Sequence, residues 1–152
     1  MAHALSITDG TTTISLSTTN WLLVHYVPNV PSYRNGQYDP VTDSIELTAD
    51  VANGAAFQTA TNAVQKLLEA ARRRHETASG ARVYLTMQLD SDASSWRSEI
   101  LYGAMVSSAD TLRSWQGIQP QTLMITRQPY WEGAEVELVS GESLTNNDGN
   151  NS

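Results

Sequence analysis

The sequence predicts an α+β fold, a β-sandwich or split barrel of about seven strands with one long flanking helix over about residues 53–75. Three observations predict it. A single long stretch, NGAAFQTATNAVQKLLEAARRRH, carries apolar residues at a 3.6-residue period. On both sides of that stretch the period falls to two, and clusters of Gly, Pro, Asn and Asp cut the period-two regions into short lengths. Strands folded into layers and covered by one helix satisfy this pattern, and 152 residues suffice to bury roughly 70% of the unfolded surface in one core.

The elements follow in chain order. TTTISLST reads as a first strand, with Ile14 and Leu16 alternating against Ser and Thr. Trp21 to Val27 is apolar at nearly every position, as expected of a strand buried on both faces. Residues 28–43, PNVPSYRNGQYDPVTD, form a long loop with three prolines, two tyrosines and an Asn35-Gly36 turn signal. Ile45, Leu47 and Ala49 then alternate in a strand that leads into the helix. Within the helix, Phe57, Ala60, Val64, Leu67, Leu68 and Ala71 share one face, with Thr61, Asn62, Gln65, Lys66, Glu69 and Arg73 opposite. Asn53 or Asp50 can cap its start, and Arg72, Arg73, Arg74 and His75 place cations at its negative end before Ser79-Gly80 stops it. The arginine run reads as a solvated helix end with a Glu69–Arg73 pair. Val83, Leu85, Met87 and Leu89 alternate after the helix, and Ile100 to Val106, Leu123 to Arg127 and Glu135 to Val139 supply three more strands. The core is expected to include Phe57, Val64, Leu67, Leu68, Leu85, Ile100, Ile125 and Trp131. The domain is expected to span 1–139, with residues 140–152 a disordered tail rich in Asn and Gly.

Composition and motifs exclude most chemistry. The chain has no cysteine, so disulfides, thiolate metal sites and a cysteine nucleophile are out. Its net charge of −7 disfavours a grip on nucleic acid. The longest apolar run, Trp21 to Val24, is far below the ~20 residues of a membrane helix, and no secretory signal is visible at the N-terminus. His3, His25 and His75 are not at metal-ligand spacing, and no nucleophile elbow, P-loop or dinucleotide glycine pattern occurs. Asp90, Asp92 and Ser94 begin like a calcium loop, but Ser95 and Leu101 stand where its glycine and bidentate glutamate belong. Asp39, Asp43, Glu46 and Asp50 could suggest paired carboxylates for glycoside hydrolysis. Asp43 and Asp50 are expected in turns, however, and Glu46 on the side of its strand away from Ile45 and Leu47. The expectation is therefore a protein that is not an enzyme, with no catalytic, cofactor-binding or metal residues and no cofactor. Trp96, Trp115, Tyr130 and Trp131 fall near strand ends or loops, where large amphipathic rings plug cores or anchor interfaces.

In sequence order, ITDGTTTISL, DSIELTAD, AAFQTATNAVQKLLEAARRR, RVYLTMQL, WRSEILYGAM and LMITRQPYWEG together resemble phage virion proteins of the distal-tail or baseplate type. The similarity is to the N-terminal domain of tail proteins from long-tailed phages, and it spans about Ile7 to Leu144. It implies a β-sandwich or split barrel flanked by one helix, whose copies, as a hexamer or trimer, form a ring around the DNA channel. Partners would be copies of the chain and other virion proteins, with phage DNA only as passing cargo and no membrane. Location would be the virion tail, after assembly in the host cytoplasm. On this reading Tyr33, Arg34 and Tyr38 of the 28–43 loop, together with Trp115, carry contacts between subunits. The alternatives are a capsid decoration or cement protein, and a carbohydrate-binding module that uses the loop aromatics.

Overall fold

The computed structural model describes residues 4–88, 95–107 and 118–133. Ten strands and one helix occur among them. The strands are β1 (Ala4–Thr8), β2 (Thr13–Ser15), β3 (Trp21–His25), β4 (Tyr33–Arg34), β5 (Gln37–Tyr38) and β6 (Val41–Asp50). After helix α1 (Gly54–Thr77) come β7 (Tyr84–Gln88), β8 (Ser95–Ser107), β9 (Ile118–Arg127) and β10 (Glu132–Gly133). Seven strands pair antiparallel in the order β2-β1-β7-β8-β9-β6-β3, and β10 adds to β8.

Chain connectivity makes this sheet curl. The strands at its two edges, β2 and β3, are joined by residues 16–20 alone, a reach of about 21 Å from Ser15 to Trp21. Seven strands laid flat would hold those edges about 29 Å apart. The sheet therefore wraps into a nearly closed barrel, and β8 makes the corner. Its first half pairs with β7 and its second half with β9. The register shifts between Ile100 and Tyr102, and at this irregularity the consecutive residues Ile100 and Leu101 are both buried. Pro120, which has no N–H to give, lies opposite Thr48 of β6 near the start of β9.

Helix α1 covers the side of β8 that β7 leaves open. The N–H of Met105 donates to Gln65 Oε1 at 3.3 Å, so a helix side chain satisfies part of that edge. Asn53 caps the helix, its side chain accepting from the Ala56 N–H at 2.9 Å. Ala78 ends it in a left-handed conformation at φ 58°, with its N–H on the Arg74 carbonyl. The buried face consists of Phe57, Ala60, Val64, Leu67, Leu68 and Ala71. They meet Leu5, Ile7, Leu16, Trp21, Ile45, Leu47, Leu85, Ile100, Leu123 and Ile125 in one cluster, and half-buried Trp131 packs against it. At the polar end, Arg72 pairs with Glu69 and Glu76, and Arg73 approaches Glu69 at 3.8 Å.

Several sequence-based expectations change in detail. The strand expected over TTTISLST is only the short β2, and a strand not expected there, β1, precedes it across a turn in which Asp9 Oδ1 accepts from the Thr11 and Thr12 N–H groups. Strand β3 is not buried on both faces. Among the described residues only β6 pairs with it, and one of its faces meets the core while the other does not: Trp21 is buried, whereas Leu22 and Val24 are exposed. The 28–43 loop is shorter than expected, because β6 begins at Val41 and a small hairpin occupies its middle. Asp43 is not in a turn but buried on β6; Asp50 is the exposed last residue of that strand. Leu89, Trp115, the strand expected at Glu135 to Val139 and the 140–152 tail lie outside the described residues.

Candidate interaction surface

Six large apolar residues fall exposed within one short stretch, namely Leu22, Val24, Val27, Val30, Tyr33 and Tyr38. Their exposure runs from 43% at Leu22 to 87% at Val30, on a segment that a solvated loop would fill with polar residues. The stretch comprises β3, the last strand in the order of the described sheet, and an arm, residues 26–40, that leaves it. At the arm's tip β4 and β5 form a hairpin around Asn35-Gly36. Both residues have positive φ, 53° and 82°, the requirement of a type I′ turn. Tyr33 and Tyr38 pair across it, rings edge to face at 5.1 Å, and Arg34 Nη2 reaches Asp39 Oδ2 at 2.9 Å. That ion pair is solvent-exposed and adds little. A two-stranded hairpin is marginal by itself, so what holds the arm lies at its root.

The root is polar and buried. Asp43 on β6 and Arg127 on β9 face inward at one end of the barrel, their side chains 0% and 1% exposed, with Arg127 Nε 2.5 Å from Asp43 Oδ2. The Tyr26 hydroxyl donates to the same oxygen at 2.6 Å, and the Asn29 N–H donates to Oδ1 at 2.9 Å. Arg127 Nη2 donates to the Asn29 carbonyl at 3.2 Å and Nη1 to the Gln128 carbonyl at 3.1 Å. The Gln128 carbonyl also accepts from Ser98 Oγ, and the guanidinium lies 4.8 Å from the centre of the Trp131 ring. Burial, and then the Asp43 carboxylate, push the Tyr26 phenol well above its ordinary pKa, so it stays a donor.

Elsewhere the surface offers shallow grooves. One, of about 490 Å³, runs between α1 and the β1–β2 turn and is lined by Asp9, Thr59, Asn62 and Lys66. The Asp9 carboxylate is already committed to the Thr12 and Thr11 N–H groups, which hold its pKa below the usual carboxylate range. The second lies on the outer face of β7 and β8, where the Arg97 guanidinium covers the Tyr84 ring at 4.1 Å and reaches Glu132 at 3.3 Å. An aromatic face so covered is not an open platform for a sugar ring. Among the described residues, no three His, Asp or Glu side chains converge as a metal site would require, and no helix is long and apolar enough to cross a membrane.

The structure thus brings Tyr33, Arg34 and Tyr38 together at an exposed arm tip, whereas Trp115 lies outside the described residues. The sequence-based expectation set Asp43 in a turn among solvated acids and gave Arg127 no role beyond ending a strand. A signal was there: extending the period-two register of Ile45, Leu47 and Ala49 back two residues turns Asp43 inward. The register of Leu123 and Ile125, carried forward, turns Arg127 inward as well. An inward acid calls for an inward cation.

No protein-family model and no curated protein matches the sequence. Among solved structures, the chain is similar in fold to a chain of the phage p2 baseplate in its activated conformation. The two are 12% identical with a TM-score of 0.50, over 82% of this chain and 44% of that one. The chain therefore spans less than half the length of that protein. It is also similar to a chain of the anti-feeding prophage baseplate, 11% identical with a TM-score of 0.39, over 90% of this chain and 94% of the other. At 12% identity the likeness to the p2 baseplate chain is one of fold alone.

Proposed function

We propose that the chain is a non-enzymatic structural component of a phage tail, of the baseplate or distal-tail type, located in the virion and assembled in the host cytoplasm. In this reading its product is a shape: copies fit against one another around the DNA channel and against neighbouring virion proteins. The observation that carries the reading is the apolar arm, with Val27, Val30, Tyr33 and Tyr38 exposed on a barrel whose fold resembles that of a p2 baseplate chain. Exposed aromatics at the tip of a braced hairpin suit an interface anchor, because their burial removes large apolar area at little cost in side-chain entropy. In this reading the arm is received by a different face of the next copy, a head-to-tail contact, and such contacts close into rings when the rotation permits. Seven net negative charges are compatible with a wall that lets DNA pass without gripping phosphate.

Light scattering after size exclusion, with negative-stain microscopy of the same fractions, tests this. A mass several times 16.6 kDa and annular particles with a central opening are the expected result. A monomer at every concentration overturns the reading, and a compact trimer without an opening that binds assembled capsids replaces it with a decoration protein.

A further inference from the structure

The contacts at the arm's root have a consequence separate from the barrel's own stability. A buried ion pair by itself contributes little net stabilisation, since desolvation of both ions offsets their attraction. Here, though, the pair does not merely join β6 to β9, which already share a ten-residue antiparallel ladder from Val41–Arg127 to Asp50–Ile118. Asp43 accepts from Tyr26 and Asn29, and Arg127 donates back to the Asn29 carbonyl, so both ions reach across to the arm. A further bond runs from Asn29 Nδ2 to the Thr42 carbonyl, one residue from Asp43. Among the described residues, the hairpin beyond is tied within the arm, by its own strand pairing, the Tyr33–Tyr38 contact, the Asp39 N–H on the Ser32 carbonyl and the Arg34–Asp39 pair.

We propose that Asp43 and Arg127 are positioning residues that latch the root of the arm to the barrel end. They hold the apolar side chains of the arm in one pose for docking on a second copy, and loss of the pair frees the arm without opening the barrel. The docking half of this proposal rests on the assembly reading above; the latch half does not. An arm fixed before contact has already lost the conformational freedom that association would otherwise have to remove.

Hydrogen–deuterium exchange on the full chain, combined with mass measurement, tests it. In Asp43→Asn the Asn29 amide, which donates to Asp43 in the wild type, should exchange faster by about tenfold or more, while α1 and the β6–β9 ladder keep their protection. Because an unpaired buried guanidinium can impair folding, Asp43→Leu/Arg127→Met serves as the second variant. It removes both charges together and should melt near the wild-type temperature. Its Asn29 amide should still exchange fast, since the Tyr26 hydroxyl and the Asn29 N–H have lost their acceptor. Wild-type protection of that amide in this folded double variant overturns the latch. A loosened arm with undiminished self-association overturns its role in docking. If the wild type does not associate at all, the assembly reading falls with that role, and the exchange data still decide the latch.

Discussion

Gly103 lies where α1 crosses β8, and the packing there leaves no room for a side chain. A Cβ at this position would stand 2.8 Å from Leu68 Cδ2 and 3.1 Å from both Ile125 Cγ2 and the Met124 carbonyl oxygen. Leu68 can swing aside in part, whereas the carbonyl of a paired strand cannot. Gly103→Val should therefore destabilise the protein by roughly 1–3 kcal/mol, read as a lower urea midpoint at unchanged slope. Phe57 anchors the other end of the helix, its ring 6.4 Å from that of Trp21 in an edge-to-face contact. Phe57→Ala should cost about 3–5 kcal/mol in the same measurement. Tyr26 gives a test in pH. Its phenol is held protonated in the fold, whereas the unfolded chain releases that proton near the ordinary value of 10.0. Its contribution is thus fully present below pH 10 and is lost as pH rises beyond it. Denaturation midpoints from pH 8 to pH 11 should fall more steeply for wild type than for Tyr26→Phe; equal slopes would show that Tyr26 is not held this way.

At the scale of elements, local period carries far where one face decides burial. All six residues of the helix's buried face were legible from 3.6-residue spacing, and the cap Asn53 was one of two candidates. The alternations at Ile45, Leu47 and Ala49 and at Val83 and Leu85 likewise mark inward positions. Strand β3 was not legible in the same way. WLLVHYV is as apolar as a central strand, but whether a strand has one neighbour or two depends on pairing with partners far along the chain. The apolar excess of β3 and of the arm marks surface, not core. In the assembly reading that surface is covered by another copy. Tyr33→Ser/Tyr38→Ser should then leave the melting temperature within a degree or two, because both rings are exposed, and should reduce self-association at least about tenfold by analytical ultracentrifugation. A lowered melting temperature with intact association would assign the tyrosines to the fold of the arm instead.

At the scale of the whole molecule, charge opposes what the apolar arm favours. Copies carrying seven net negative charges repel one another, and salt screens that repulsion beyond a Debye length of roughly 10 Å at 0.1 M. Raising NaCl from about 50 mM to about 500 mM should therefore strengthen self-association, measured as a fall in the half-assembly concentration. The opposite trend would point to an interface built on ion pairs.

By itself the sequence determined the class of fold, the extent and buried face of the helix, and the inward register of several strands, because these are periodicities local to each segment. The closing of the sheet, the edge position of β3 and the burial of Asp43 were decided only in three dimensions. The closing needs the whole strand order that lies between β2 and β3, and the other two depend on residues far apart in the chain: β6 against β9, and Asp43 against Arg127 84 positions later. A local pattern reports which side of an element faces inward, but whether a side chain meets a partner or water is settled by what the rest of the chain brings to it.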